Sequence, residues 1–231
     1  MPQPTTQGHF MKAKQFSRAL AALTACLLVL LLCACHTHPA RDARLPALSE
    51  PAPYFNRLFH RMDGGWTGGD GTLSVGLPDG RTLWLFGDTF LGTVSPEGRR
   101  PPEAPFIRNS LVVQKGAALE TLFQSSDGRP SAFFTPAAAD QWYWPGHATV
   151  EGDQLKIFLH RFETTEPRLW AWRWVGTDLA VLSLPSLTLS RIVRAPSEDE
   201  VLYGVCILQT EAYTYIYGTA DLRMPKQGHL A

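Results

Sequence analysis

This sequence has no excess of charge, no phosphate-binding glycine motif, little helical periodicity and almost no cysteine available for cross-links. Lys and Arg number 21 and Asp and Glu 21, for a formal net charge of +0. With no basic stripe along the chain, nucleic acid is excluded as a partner. Neither G-x-x-x-x-G-K-S/T nor G-x-G-x-x-G ahead of a helix occurs, which removes the usual nucleotide sites. Of 4 cysteines, Cys26 and Cys33 lie in the apolar N-terminal segment and Cys35 at its end. Cys206 then stands alone and has no intramolecular partner for a bridge. Flanked by Val205 and Ile207, it reads as a small buried hydrophobe, and no cluster of ligating residues surrounds it. A core, not disulfides, must hold the exported part together, and no metal or other cofactor is expected.

What is present begins with a targeting segment. Lys12, Lys14 and Arg18 precede the apolar run from Ala19 to Ala34, which is short against the roughly 20 residues of a membrane span. Met11 opens this pattern more naturally than Met1. The run ends Leu32-Cys33-Ala34-Cys35, which resembles a bacterial lipoprotein signal in which Cys35 receives lipid, although Cys33 departs from the usual small residue. An ordinary cleaved signal peptide or an uncleaved anchor is the alternative. Residues 1–35 are thus signal, 36–53 a Pro- and Ala-rich tether, and 54–231 a globular domain. The expected location is the bacterial cell envelope, membrane-anchored through lipid, or outside the cell.

Past the tether, short runs of Val, Leu, Ile, Trp, Tyr and Phe are punctuated by Gly, Pro and Asp, the pattern of an all-β chain. The clearest hairpin pairs Leu73–Leu77 with Thr82–Phe86 across Asp79-Gly80. Others pair Ser110–Gln114 with Leu119–Gln124, Ala148–Glu151 with Leu155–Arg161, Leu169–Val175 with Leu179–Leu184 across Gly176-Thr177-Asp178, and Leu202–Leu208 with Tyr213–Gly218. A short helix is expected at Ala137–Gln141. Trp170, Trp172 and Trp174 alternate and are expected on one sheet face, packed between layers. Four-stranded units recurring every 50 to 80 residues or so suggest β-propeller blades, about two and a half of them, as a fragment of a five-bladed propeller. A β-sandwich is the alternative. Because propellers close with four or more blades and no closing strand is expected after Gln227, the chain reads as C-terminally truncated, with poor solubility expected from its open edges.

Gly68-Gly69-Asp70-Gly71-Thr72, Leu83-Trp84-Leu85-Phe86-Gly87-Asp88-Thr89-Phe90, Arg108-Asn109-Ser110-Leu111-Val112, Trp142-Tyr143-Trp144-Pro145-Gly146 and Tyr215-Ile216-Tyr217-Gly218 together resemble the bacterial secreted domains of unknown function 4185 and 5005. The resemblance runs from about Phe55 to Ala231. These domains look like relatives of five-bladed propeller glycosidases such as the arabinanase, xylosidase and invertase groups. The resemblance implies a funnel lined by the entrances of the inner strands, where Asp70, Asn109, His147 and Glu151 would stand. By analogy Asp70 would be base or nucleophile, Glu151 a second carboxyl, and Asp88 an orienting residue, with Asn109, His147 and Trp144 binding substrate. Plainer roles are open to each: Asp70 as turn former, Asp88 as loop cap, His147 as loop residue, and the Trp142–Trp144 cluster as core. A third acid is missing from the third inner strand, where only Glu198, Asp199 and Glu200 precede Val201. The expected function is polysaccharide binding or hydrolysis in a full-length relative. The alternative is a non-catalytic carbohydrate-binding or scaffold propeller, or a non-functional truncated product.

Overall fold

The computed structural model describes residues 51–168, 170–195, 200–220 and 226–231. The chain divides into two units, Met1–Pro51 and Ala52–Ala231, and every described strand belongs to the second. The signal, the tether up to residue 50 and Cys35 lie outside the described residues.

In chain order the elements are α1 (Pro53–Phe59), β1 (Trp66–Gly69), β2 (Leu73–Gly76), β3 (Thr82–Phe86), β4 (Thr89–Leu91), β5 (Phe106–Ile107), β6 (Ser110–Lys115), β7 (Ala118–Leu122), β8 (Gln124–Ser126) and β9 (Arg129–Ser131). The second half holds β10 (Gln141–Glu151), β11 (Gln154–Thr164), β12 (Trp172–Ser183), β13 (Thr188–Arg194), β14 (Leu202–Gln209), β15 (Thr214–Ala220) and β16 (Gln227–Leu230). The fold is all-β with antiparallel sheets ordered β2-β3-β6-β7, β10-β11-β12-β13 and β14-β15-β16, plus small sheets β1-β4-β5 and β8-β9.

Local turn chemistry accounts for the hairpins that the sequence announces. Asp79 accepts a bond from the Arg81 backbone N–H at 3.2 Å and pairs with its guanidinium at 2.7 Å. Gly80 takes the left-handed φ of 81° that such a turn requires. This sets the register Leu73 opposite Leu85 and Val75 opposite Leu83. Alternation then sends Leu83 and Leu85 inward.

Four expectations are corrected. Gly176-Thr177-Asp178 is not a turn but the middle of β12, paired along its length with β11. Its turn-like composition is overridden because Asp178 is buried and bonded to side chains of neighbouring strands. The reversal falls instead between β12 and β13, and β13, mostly exposed, carries too weak an apolar pattern to be read. Residues 137–140 form a turn leading into β10, which starts at Gln141, and α1 is the only α-helix among the described residues. Gln227–Leu230 pairs with β15 and gives the last sheet a third strand. Cys206 is exposed, not buried: it lies opposite Tyr217, which lies opposite Leu230, on the outward face of that sheet.

The three larger sheets pack in chain order. Leu83, Leu85 and Leu111 of the first meet Leu155, Ile157, Leu159, Ala180 and Leu182 of the second. The other face of the second sheet carries Phe158 and Leu179, which meet Ile207 and Ile216 of the third. The leading strand β10 lies beside both β2 and β14. Close approach at the second junction depends on Gly204, where an added Cβ would clash with the Phe158 ring. The leading strands thus gather, and the site is built at the end where they begin.

Candidate functional site

The hairpin return joins Asp70 and Asp88 at one junction through their backbones. The Asp70 backbone N–H donates to Asp88 O at 3.0 Å, and Gly87 N–H donates back to Asp70 O at 2.8 Å. Thr89 Oγ1 locks the elbow through Gly87 O at 2.7 Å and Ser110 Oγ at 3.0 Å. Gly87 lets the indole come close, since a Cβ there would lie 3.2 Å from Trp144 Cδ1, tighter than ordinary contact. The indole therefore lies against this elbow, and its Nε1–H donates to Asp88 Oδ1 at 2.8 Å. Arg108 Nη1 donates to both Asp88 oxygens at 3.3 and 3.2 Å. The Arg108 guanidinium itself lies 4.4 Å over the Trp142 ring, an attraction between cation and π-face.

Trp144 forms the wall between two openings. On one side a cleft of about 210 Å³ is lined by Asp70, Gly71, Gly87, Trp144 and Pro145. On the other a cleft of about 270 Å³ is lined by Asp88, Phe106, Arg108, Trp142, Trp144, Thr164, Arg168, Trp170, Ala171 and Trp172. Trp144 meets Trp172 edge-on with ring centres 5.2 Å apart and Phe162 at 4.5 Å. Asp70 is exposed, whereas the Asp88 carboxylate is committed to Arg108 and Trp144. An aromatic cleft with hydrogen-bonding groups at its rim is suited to a ligand with one apolar face and polar edges.

Of the residues expected at the site, Asp70, Asp88 and Trp144 are brought together. Glu151 is not. It ends β10 seven positions beyond Trp144, roughly 23 Å at about 3.3 Å per residue, where it is exposed and paired with Lys156. Asn109 is fully buried and structural. It donates to Phe134 O at 2.9 Å and Tyr143 O at 3.0 Å, and it accepts from Phe134 N–H at 2.8 Å. These bonds use both of its donors, so it has none for a substrate. His147 Nδ1 accepts the Ile207 N–H at 2.8 Å, tying β10 to β14. Glu198 and Asp199 lie outside the described residues.

Sequence reasoning misses Arg108, Arg168, Trp170 and Trp172. Arg108 stands beside Asn109 in one of the distinctive motifs, so a signal for it is there. Alternation places the tryptophans on a packed sheet face, but Trp170 precedes β12 in a turn and is 79% exposed, and Trp172 is 39% exposed. Deeper in β11, His160 is buried with Nε2 3.0 Å from Tyr203 O, and burial holds its pKa below the ordinary histidine value. No group of three or more His, Cys, Asp or Glu positioned for a metal occurs among the described residues. No helix among them is long and apolar enough to cross a membrane.

No curated protein matches the chain. Among solved structures it is similar to the crystal structure of a "putative hydrolase" from Bacteroides ovatus, at 26% identity and a TM-score of 0.65. The match covers 78% of this chain and 52% of that one, so the chain spans about half the length of this neighbour. Residues 53–231 match the family described as Domain of unknown function (DUF5005), and the chain belongs to that family.

Proposed function

We propose that this is a carbohydrate-recognising domain of the cell envelope, with a sugar ring bound against the indole of Trp144. The observation that carries the reading is the aromatic cleft itself. Trp144 and Trp172 offer apolar ring faces, Asp88 and Arg108 stand at the rim, and Asp70 opens on the far side of the same indole. Sugars present C–H faces for the rings and hydroxyls for the rim. The three stacked sheets with adjacent leading strands support a propeller arrangement in which each sheet is a blade. In this reading residues 1–35 are a lipoprotein signal, and lipid on Cys35 holds the domain at the membrane.

A second reading, hydrolysis of the bound glycan by longer relatives, is favoured by the name of the Bacteroides ovatus neighbour. In it Asp70 is the exposed carboxyl available for acid or base chemistry, and Asp88 orients Trp144. Glycosidases need two carboxyl groups between about 5 and 10 Å apart. Glu151, at the opposite end of β10, does not supply the second, and binding without hydrolysis is therefore the leading reading for this chain.

The test is isothermal titration of the full chain with arabinan, xylan, mannan and mixed-linkage β-glucan. Binding to one of these that falls about tenfold or more in Trp144→Ala, and is unchanged in Glu151→Gln, is the expected result. Equal affinity of wild type and Trp144→Ala would displace the site from this cleft.

A further inference from the structure

Between β11 and β12 the chain reverses in a turn closed by Thr165 N–H donating to Ala171 O at 2.9 Å and Ala171 N–H donating to Arg168 O at 3.2 Å. Arg168 is further pinned to Glu166 at 2.9 Å. Within this turn Trp170 has φ 68°, in the left-handed region. A bulky side chain is a genuine outlier there, because its Cβ crowds the backbone. Trp170 is also 79% exposed, the most exposed large hydrophobic residue among those described. The other tryptophans at this end find aromatic partners: Trp142 and Trp144 meet each other and Phe162, and Trp172 meets Trp144 and Phe162. No such ring contact involves Trp170 among the described residues.

Two unfavourable features, a strained backbone and an indole left in water, therefore coincide at one residue without a return inside the fold. Strain of this kind persists where the surrounding structure holds it in place, and it clusters at active sites and ligand clamps. The position points to the ligand. Trp170 lines the 270 Å³ cleft together with Trp144 and Trp172. That volume lies near the lower end of small-molecule sites, which run from roughly 300 to 1,000 Å³, and so suits one sugar ring rather than a chain of them.

We propose that Trp170 is the outer platform of a sugar-ring clamp, stacking on the solvent side of a ring whose other face rests on the indole of Trp144, with Trp172 at its side. The inference rests on the reading of this cleft as a carbohydrate site and adds to it a specificity-determining residue. It selects a pyranose or furanose with apolar C–H patches on both faces, held at a single subsite.

A role in binding and a role in folding predict opposite stability effects at this position. Glycine adopts left-handed φ without penalty, so Trp170→Gly is expected to melt at the same or a higher temperature than wild type. The same variant is expected to lose about tenfold or more in affinity for whichever of arabinan, xylan, mannan or mixed-linkage β-glucan the full chain binds. Trp170→Phe, which keeps a ring, is expected to retain most of the affinity. Wild-type affinity in Trp170→Gly, with binding lost in Trp144→Ala, would overturn the clamp and leave the cleft reading standing. A fall in both melting temperature and affinity for Trp170→Gly would likewise make the residue structural and overturn the clamp. Binding that is insensitive to both substitutions, or absent in wild type for all four polysaccharides, would overturn clamp and cleft together.

Discussion

Asn109 illustrates how a polar residue in a distinctive motif can be structural. Its amide faces the interior, where it bridges the Phe134 backbone and the Tyr143 carbonyl. Removing it leaves two buried carbonyls and one buried N–H without partners, and each orphan costs about 1–3 kcal/mol. Asn109→Ala is therefore expected to destabilise the fold by about 3 kcal/mol or more, seen as a lower urea midpoint with an unchanged slope. A loss under about 0.5 kcal/mol would contradict the bond pattern. Asp88 makes the complementary case. Its side chain also accepts rather than reacts, but it accepts from Trp144 and Arg108 in an open cleft, so it shapes the ligand surface instead of the core.

Between elements, the junction of β10 and β11 with β14 carries a titratable group. His160 is buried at Tyr203 O, and desolvation, opposed only in part by that hydrogen bond, lowers its pKa. The unfolded chain takes up a proton near pH 6.5, while the folded chain resists it to a lower pH. Between those two values the unfolded state binds more protons, so stability is full above about pH 6.5 and declines as pH falls below it, by up to about 1.4 kcal/mol per unit. The carboxylates of Asp79 and Glu163, lowered chiefly by hydrogen bonds from Arg81 and Arg173, lose their native partners only as pH drops through the carboxylate range, well below the pH near 6.5 at which the His160 effect begins. Urea midpoints at pH 7.5 and 5.5 are expected to differ for wild type and to converge in His160→Gln; equal midpoints for wild type would remove the histidine from the account.

At the scale of the whole molecule, the chain combines a domain of about half its structural neighbour's length with an N-terminal segment read as a lipoprotein signal. If Cys35 carries lipid, metabolic labelling with a radioactive fatty acid should mark the wild-type protein and leave Cys35→Ser unlabelled. Label that survives the substitution would overturn the anchor.

The all-β class, the family and the turn at Asp79-Gly80 were legible in the residues alone, because a turn is written in consecutive residues whose backbone preferences act locally. The sequence also pointed to the junction of Asp70 and Asp88 and to Trp144. Tertiary structure decided the rest. Gly176-Thr177-Asp178 carries turn residues yet stays extended, because Tyr143 and Arg161 on neighbouring strands hold Asp178 inside. Glu151 and Trp144 share one strand but stand far apart along it, while Trp144 and Asp88, 56 positions apart in sequence, share a hydrogen bond. Whether a polar side chain becomes a latch or part of a site depends on which sheet packs against it. That is a long-range outcome of burying apolar faces, and no short stretch of residues encodes it.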